Sequence, residues 1–323
     1  MKLRLRKQFP NNKKENRKMA EFSAKDVAEL RKQTGCGMMD CKNALKDANG
    51  DFEAAVKILR EKGMAAVAKK ASRIAAEGIV DVMTIGSTTA IVEVNSETDF
   101  VAKNAIFQAF VKDVLKTIIA NKPADVEALL ASEFVSGGTV ADALADKTYT
   151  IGEKLSIRRF SVVEGAVATY IHGLGATGVV VSFDTDVADK AEFAECAKNV
   201  ALQTAAMAVR FLDKDAVPAE VLAEEKAILI AQMQQDPKMA NKPQQVLEKI
   251  VEGKLGKFYE NNCLLHQLYV KDDSMTVAQY VESVAKALGG SIKVTGYVRY
   301  DKGEGLEKRE DDFAAEIQKM VQG

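Results

Sequence analysis

A β-hairpin followed by a long helix occurs twice in this chain, and that duplication narrows the fold more than any other feature. In the first copy, Glu77-Gly78-Ile79-Val80 opens a strand, Ile85-Gly86-Ser87 turns, and Ala90-Ile91-Val92-Glu93-Val94 returns. Along the return, Val92 and Val94 fall on one face and Glu93 and Asn95 on the other, which is the two-residue period of a strand. A helix follows, with Ile106, Phe107, Phe110, Val111, Val114, Leu115, Ile118 and Ile119 at three- and four-residue steps. In the second copy Glu164-Gly165-Ala166-Val167 opens, His172-Gly173-Leu174-Gly175 turns, Val179-Val180-Val181 returns, and another long helix follows. Such units bury one sheet face under helix, so two of them predict an α+β core of two related subdomains.

Other elements attach to this core. Residues 22–62 read as three short helices. The first carries Val27, Ala28 and Leu30, and the second Met39, Ala44 and Leu45. After the turn and N-cap at Asn49-Gly50-Asp51, the third carries Phe52, Ala55, Val56, Ile58 and Leu59. A bundle this small is only marginally stable alone. A Lys- and Ala-rich helix near 64–75 leads onward, residues 124–152 read as helical, and Ser156 to Val162 as a strand. Residues 218–236 and 243–260 form a helical hairpin broken at Asp236-Pro237 and Lys242-Pro243. Its apolar positions are Val221, Leu222, Ile228, Leu229 and Met233, then Val246, Ile250, Val251, Leu255 and Phe258. Thr276 to Leu288 is helical, Gly289-Gly290 ends it, and Ile292 to Tyr300 alternates as a strand. A last amphipathic helix carries Phe313, Ile317, Met320 and Val321. The expected division is a basic tail (1–18), a three-helix head (19–63), one core subdomain (64–163), a second (164–212 with 264–300) interrupted by the helical hairpin (213–263), and a C-terminal module (301–323).

Composition removes several classes of function. With 323 residues there is room for two or three domains, and a formal net charge of −1 argues against a chain built as a nucleic-acid magnet. No apolar run reaches transmembrane length. Cys36, Cys41, Cys196 and Cys263 form no Cys-x-x-Cys pair, and only Cys263 lies near a histidine, three residues before His266. Buried or incidental thiols in a reducing cytosol are expected, with no zinc site and no disulfide framework. Residues 1–18 are different, with Lys2, Arg4, Arg6, Lys7, Lys13, Lys14, Arg17 and Lys18 against the single acid Glu15. This stretch is either a disordered or spuriously early start, or an arm that holds RNA phosphates without sequence preference.

Catalytic chemistry is not encoded in any recognisable form. No phosphate-cradling Gly-x-x-x-x-Gly-Lys-Ser/Thr loop is present, and Gly253-Lys254-Leu255-Gly256-Lys257 only mimics one inside a helical pattern. His172 and His266 lack a nucleophile motif. Asp272-Asp273 and Asp311-Asp312 read as solvated charges or caps. No catalytic residue, cofactor or metal is expected, so the chain should act by binding. One place invites a partner. Thr98, Asp99 and Phe100 sit at the corner between the first return strand and its helix, and corners lie at surfaces. Either Thr98 or Asp99 caps the helix and Phe100 folds back on the core, or the aromatic points outward. The second copy reads Thr185-Asp186-Val187 at the matching place, so capping accounts for the shared Thr-Asp and the phenylalanine is the added feature.

Two stretches carry a family resemblance. Thr98-Asp99-Phe100-Val101-Ala102-Lys103-Asn104, and Leu30-Arg31-Lys32-Gln33-Thr34-Gly35-Cys36-Gly37-Met38-Met39-Asp40-Cys41-Lys42-Asn43-Ala44-Leu45 before it, resemble signatures of the bacterial translation elongation factor Ts family. The likeness covers roughly residues 19–323. It implies a head of the ubiquitin-associated type, a projecting coiled coil at the helical hairpin that in some members makes a homodimer, and a C-terminal module that docks on the partner. It implies a cytoplasmic guanine-nucleotide exchange factor that releases GDP from elongation factor Tu. Asp99 and Phe100 would then enter the Mg²⁺ and switch region of that GTPase, with Thr98 and Val101 also binding the partner. Met38 and Met39 would dock elsewhere on it, unless they are core residues of the head. His172 is a weaker contact candidate, or a turn histidine without a role. The rival reading is a ribosome- or RNA-associated scaffold that uses the basic tail.

Overall fold

The computed structural model describes residues 22–34, 36–207, 209–235 and 243–307. The basic tail, the Asp236-Pro237 link and the helix expected around Phe313 lie outside them. The head is formed by α1 (Ala24–Thr34), α2 (Met38–Asp47) and α3 (Phe52–Lys70). Val27, Leu30, Cys41, Ala44, Leu45, Ala55 and Leu59 fill its interior. Asp51 caps α3 by accepting the Ala54 N–H. The separate helix expected near 64–75 is instead the continuation of α3, unbroken to Lys70. Gly63 within it leaves room for the neighbouring backbone: a Cβ there would lie 3.3 Å from the Ala145 carbonyl carbon. Met39, expected on the inner face of α2, is 62% exposed because that helix turns Cys41, Ala44 and Leu45 inward.

The first repeat follows as β1 (Glu77–Ile85) and β2 (Thr88–Ser96), paired antiparallel from Glu77 opposite Ser96 to Ile85 opposite Thr88. The helix expected next is split into a single turn, α4 (Asp99–Ala102), and the long α5 (Ala105–Asn121). Helices α6 (Val126–Ala131) and α7 (Val140–Ile151) lead to β3 (Ser156–Glu164), which closes the sheet order β1-β2-β3. Phe107, Phe110, Val111, Val114 and Ile118 of α5 pack with Ala90, Val92 and Val94 of β2.

The second repeat contributes β4 (Ala166–His172), β5 (Thr177–Thr185) and α8 (Ala191–Ala206). Next come α9 (Ala219–Gln235) and α10 (Gln244–Asn262), which bury Met233, Leu247, Val251, Leu255 and Phe258, while Ile228 and Val246 remain exposed. A short hairpin not anticipated from the sequence, β6 (Leu268–Tyr269) with β7 (Asp272–Thr276), precedes α11 (Val277–Leu288) and β8 (Ile292–Asp301). This sheet runs β4-β5-β8, and Val200 of α8 and Val281 of α11 share a core with its Val179 and Val181. The capping role expected for Thr185-Asp186 is not what is found. Asp186 accepts the Ser291 N–H at 2.7 Å and the Thr185 hydroxyl donates to the Ser291 carbonyl at 2.7 Å. The pair fastens the end of β5 to the start of β8, and α8 begins without a side-chain cap.

The two sheets meet through Val80, Ile91, Val180 and Tyr300. Strand β2 is therefore buried on both faces, under α5 on one side and the second sheet on the other. Glu93 lies in this seam with none of its side chain exposed. It accepts from the Gly303 N–H at 2.8 Å, the Asn95 amide at 3.0 Å, Arg158 at 3.0 Å and Arg159 at 2.6 Å. Burial by itself would raise its pKa, but the Gly303, Asn95, Arg159 and Arg158 donors outweigh that and hold it below the usual glutamate value. Its stabilising contribution is therefore present above pH 4.5, the ordinary value, and is lost as pH falls through the depressed folded value. Two outcomes are expected in chemical denaturation. Glu93→Ala lowers stability by about 3 kcal/mol, the low end for a broken buried pair because both arginines keep some contact with water. Glu93→Gln loses less stability than the wild type on acidification below pH 4.5.

Candidate functional site

Where β2 ends, the backbone is gripped by side chains from the α7–β3 connection. Glu153 accepts the Glu97 N–H at 3.1 Å, the Thr98 N–H at 2.9 Å and the Thr98 hydroxyl at 2.6 Å. In return Glu97 accepts the Lys154 N–H at 2.5 Å and pairs with Arg73 at 3.2 Å. The Ser96 hydroxyl donates to the Thr98 carbonyl at 2.9 Å. Thr98 precedes α4, but its hydroxyl goes to Glu153 and does not cap the helix. The capping alternative for Thr98 and Asp99 is thus not what forms; the long helix α5 is capped by Asn104, which accepts the Ile106 N–H at 2.8 Å.

The single turn of α4 decides where its side chains go. Consecutive helical residues point about 100° apart, so a turn that buries one neighbour turns the other out. Val101 enters the core beneath α5, and Phe100 is left 79% exposed. It does not fold back on the interior. Asp99 pairs with Lys103 at 2.7 Å, and the Lys103 ammonium also lies 5.9 Å from the centre of the Phe100 ring. The hydrogen bond from Lys103 holds the Asp99 carboxyl below its usual range, with the Lys103 and Lys302 charges adding to it. The site therefore presents an ionised carboxylate and an exposed phenyl ring side by side on a braced corner.

Other residues expected at a site are distributed more widely. Met38 and Met39 are exposed at the start of α2, so the core alternative fails for both. They belong to the head, apart from the corner. His172 ends β4, is exposed, and its Nδ1 lies 3.1 Å from the Tyr170 hydroxyl. The turn after it does approach the corner: Leu174 and Gly173 line a cleft of about 370 Å³ together with Asp99, Lys103 and Lys302. Leu174 was not anticipated; a leucine between two glycines of a hairpin turn was the signal available. Glu153 and Glu97 were also missed, because the bonds that join the α7–β3 connection to the corner span more than fifty residues of sequence. Among the described residues no group of three His, Cys, Asp or Glu side chains is placed to hold a metal ion. No helix among them is long and apolar enough to cross a membrane.

Replacing Glu153 by Ala strands two backbone N–H groups and a hydroxyl at the corner. A loss of about 2 kcal/mol is expected from charge-assisted hydrogen bonds of this kind. Denaturant unfolding measures the loss, and hydrogen exchange should be faster at the Glu97 and Thr98 amides.

Comparison with known proteins places this geometry in context. Residues 97–304 match the family model described as Elongation factor TS. Elongation factor Ts of Syntrophotalea carbinolica is 46% identical over 305 residues, covering 93% of this chain and 99% of that protein. Elongation factor Ts of Clostridioides difficile is 47% identical over 307 residues, covering 94% of this chain and all of its own length. The protein of that name from Clostridium kluyveri is 44% identical over 309 residues.

Proposed function

The chain belongs to the elongation factor Ts family, and from that premise we propose that it acts in the cytoplasm as the exchange factor that releases GDP from elongation factor Tu during protein synthesis. The observation that carries this reading is the corner itself: a phenyl ring 79% exposed beside an ionised carboxylate, on backbone tied down from two directions. The difficulty in nucleotide exchange is to weaken a tight site without occupying it. Linkage supplies the means, since a factor that prefers the empty GTPase to the GDP-bound one must lower GDP affinity by the same ratio. Asp99 and Phe100 create that preference by entering beside the Mg²⁺ and switch region, with Thr98 and Val101 holding them in place. Burial of a phenylalanine side chain contributes about 1.5–3 kcal/mol.

The remaining assignments follow from the same reading. Met38 and Met39 dock the head, a unit of the ubiquitin-associated type, on another side of the GTPase, where flexible thioethers suit an adaptable contact. His172 touches the partner from the second hairpin. The pair α9 and α10 is the coiled-coil insertion and the element of self-association. The units are the tail 1–18, the head 19–63, the subdomains 64–163 and 164–212 with 264–300, the insertion 213–263 and the C-terminal module 301–323. Chemistry is left to the GTPase, and no bond is made or broken here.

The test is release of labelled GDP from the elongation factor Tu of the same host. The wild-type chain should accelerate it by about 100-fold or more, enough for loss of the ring's burial to be read. Phe100→Ala should reduce the maximal acceleration by about 10- to 100-fold, following the burial value, with unfolding unchanged. Release that is indifferent to the wild-type chain would overturn the function, and full activity of Phe100→Ala would overturn the wedge.

A further inference from the structure

The turn between β4 and β5 holds a side chain that packing does not explain. Leu174 is 85% exposed, more than Phe100. Its backbone lies at φ +56°, between Gly173 at +57° and Gly175 at +93°. A bulky residue in the left-handed region is disfavoured, and glycine takes that conformation without strain. Both the water-facing isobutyl group and the backbone therefore work against leucine at this position. Such a combination directs attention to function when the surroundings hold it in place.

The surroundings do hold it. The Gly175 carbonyl accepts the Val80 N–H at 2.8 Å, and the Ala176 carbonyl accepts the Lys302 N–H at 2.8 Å. A Cβ on Gly175 would meet the Ile79 Cβ at 2.7 Å, so the turn sits directly on β1. Because β1 is the strand paired with β2, the tip is fixed relative to the corner where β2 ends. Leu174 and Asp99 line one cleft, whose other walls include Lys103 and Lys302.

We propose that Leu174 is a second apolar anchor for the same GTPase, seated next to the Asp99-Phe100 corner and reading an apolar depression on the partner flanked by groups complementary to Asp99, Lys103 and Lys302. The proposal rests on the exchange function given above. Leu174 projects from the other sheet, beside the wedge and not part of it. It adds equally to binding of the GDP-bound and empty forms, so it sets affinity and not the degree of destabilisation. Its signature is a change in the concentration needed for exchange, with the maximal rate kept.

The full-length chain and its Leu174→Gly, Leu174→Asp and Phe100→Ala variants should be titrated against GDP-loaded elongation factor Tu. Both the half-saturating concentration and the maximal release rate should be recorded, alongside each variant's thermal midpoint. For Leu174→Gly the midpoint is expected to hold or rise, since the left-handed strain is relieved. Its half-saturating concentration should rise about tenfold, as loss of a buried leucine implies, and its maximal rate should stay at the wild-type level. Leu174→Asp should raise the half-saturating concentration further. Phe100→Ala should lower the maximal rate instead. Half-saturation within about twofold of wild type for both Leu174 variants, on a chain that does accelerate release, would overturn the anchor while leaving the exchange function intact. A fall in maximal rate without a change in half-saturation would also overturn it. A wild-type chain that fails to accelerate release would remove the exchange function and the anchor together.

Discussion

A glutamate carboxylate with no exposed side-chain surface lies where the two sheets meet, and the rest of the core is arranged around it. Left alone there, the group would be driven to its neutral form. It stays charged because donors arrive from three parts of the chain: Asn95 on its own strand, Arg158 and Arg159 on β3, and the Gly303 N–H just beyond β8. The arginines extend the cluster. Arg159 donates to the Asp301 carbonyl at 3.2 Å and pairs with Glu304 at 3.0 Å, and its guanidinium stacks over the Tyr300 ring at 4.2 Å. Apolar packing through Val80, Ile91 and Val180 draws the sheets together but is non-directional. Hydrogen bonds have directions, so the Gly303 N–H on the carboxylate and the Arg159 bonds to Asp301 and Glu304 set how one sheet is registered on the other.

That registration matters because the two exposed apolar tips stand on different sheets. Phe100 follows β2, and Leu174 tops the β4–β5 turn. Each has its own brace, Glu153 and Glu97 for the first and the Val80–Gly175 hydrogen bond for the second. The seam then converts two local constraints into one fixed surface. Side chains ordered in advance lose less freedom on binding, and placing them on strands and braced turns keeps the geometry tighter than loops would.

The features legible in the sequence were those with a local period. Alternation gave the hairpins, and three- and four-residue spacing gave α5 and α11. The corner at Thr98-Asp99-Phe100 was legible because it falls between the two periods. What stayed hidden depends on distant partners. Glu93 reads as the polar side of a half-buried strand, and only the second sheet makes that side interior. Thr185 and Asp186 read as a cap until Ser291 is brought alongside. The β6–β7 hairpin was missed because Asp272 and Asp273 look like solvated charges, whereas Asp272 shapes the turn by accepting from the Ser274 N–H and hydroxyl. The split of the helix into α4 and α5 was missed because Asn104 competes for the cap inside an otherwise continuous apolar pattern.

In the proposed exchange role the apolar tips must divide their work. A contact that binds the GDP-loaded and empty GTPase equally shifts no nucleotide equilibrium, however tight it is. Only the Asp99-Phe100 corner discriminates, and a single phenyl ring supplies about 1.5–3 kcal/mol at most. Forcing the ring into a closed switch region also costs free energy while GDP is still bound. Contacts away from the switch offset that cost by holding the partner in place during insertion, just as remote binding energy supports distortion at a reacting centre. On that proposal, affinity from Met38, Met39 and Leu174 leaves the nucleotide equilibrium unmoved and is what allows one exposed ring to be enough.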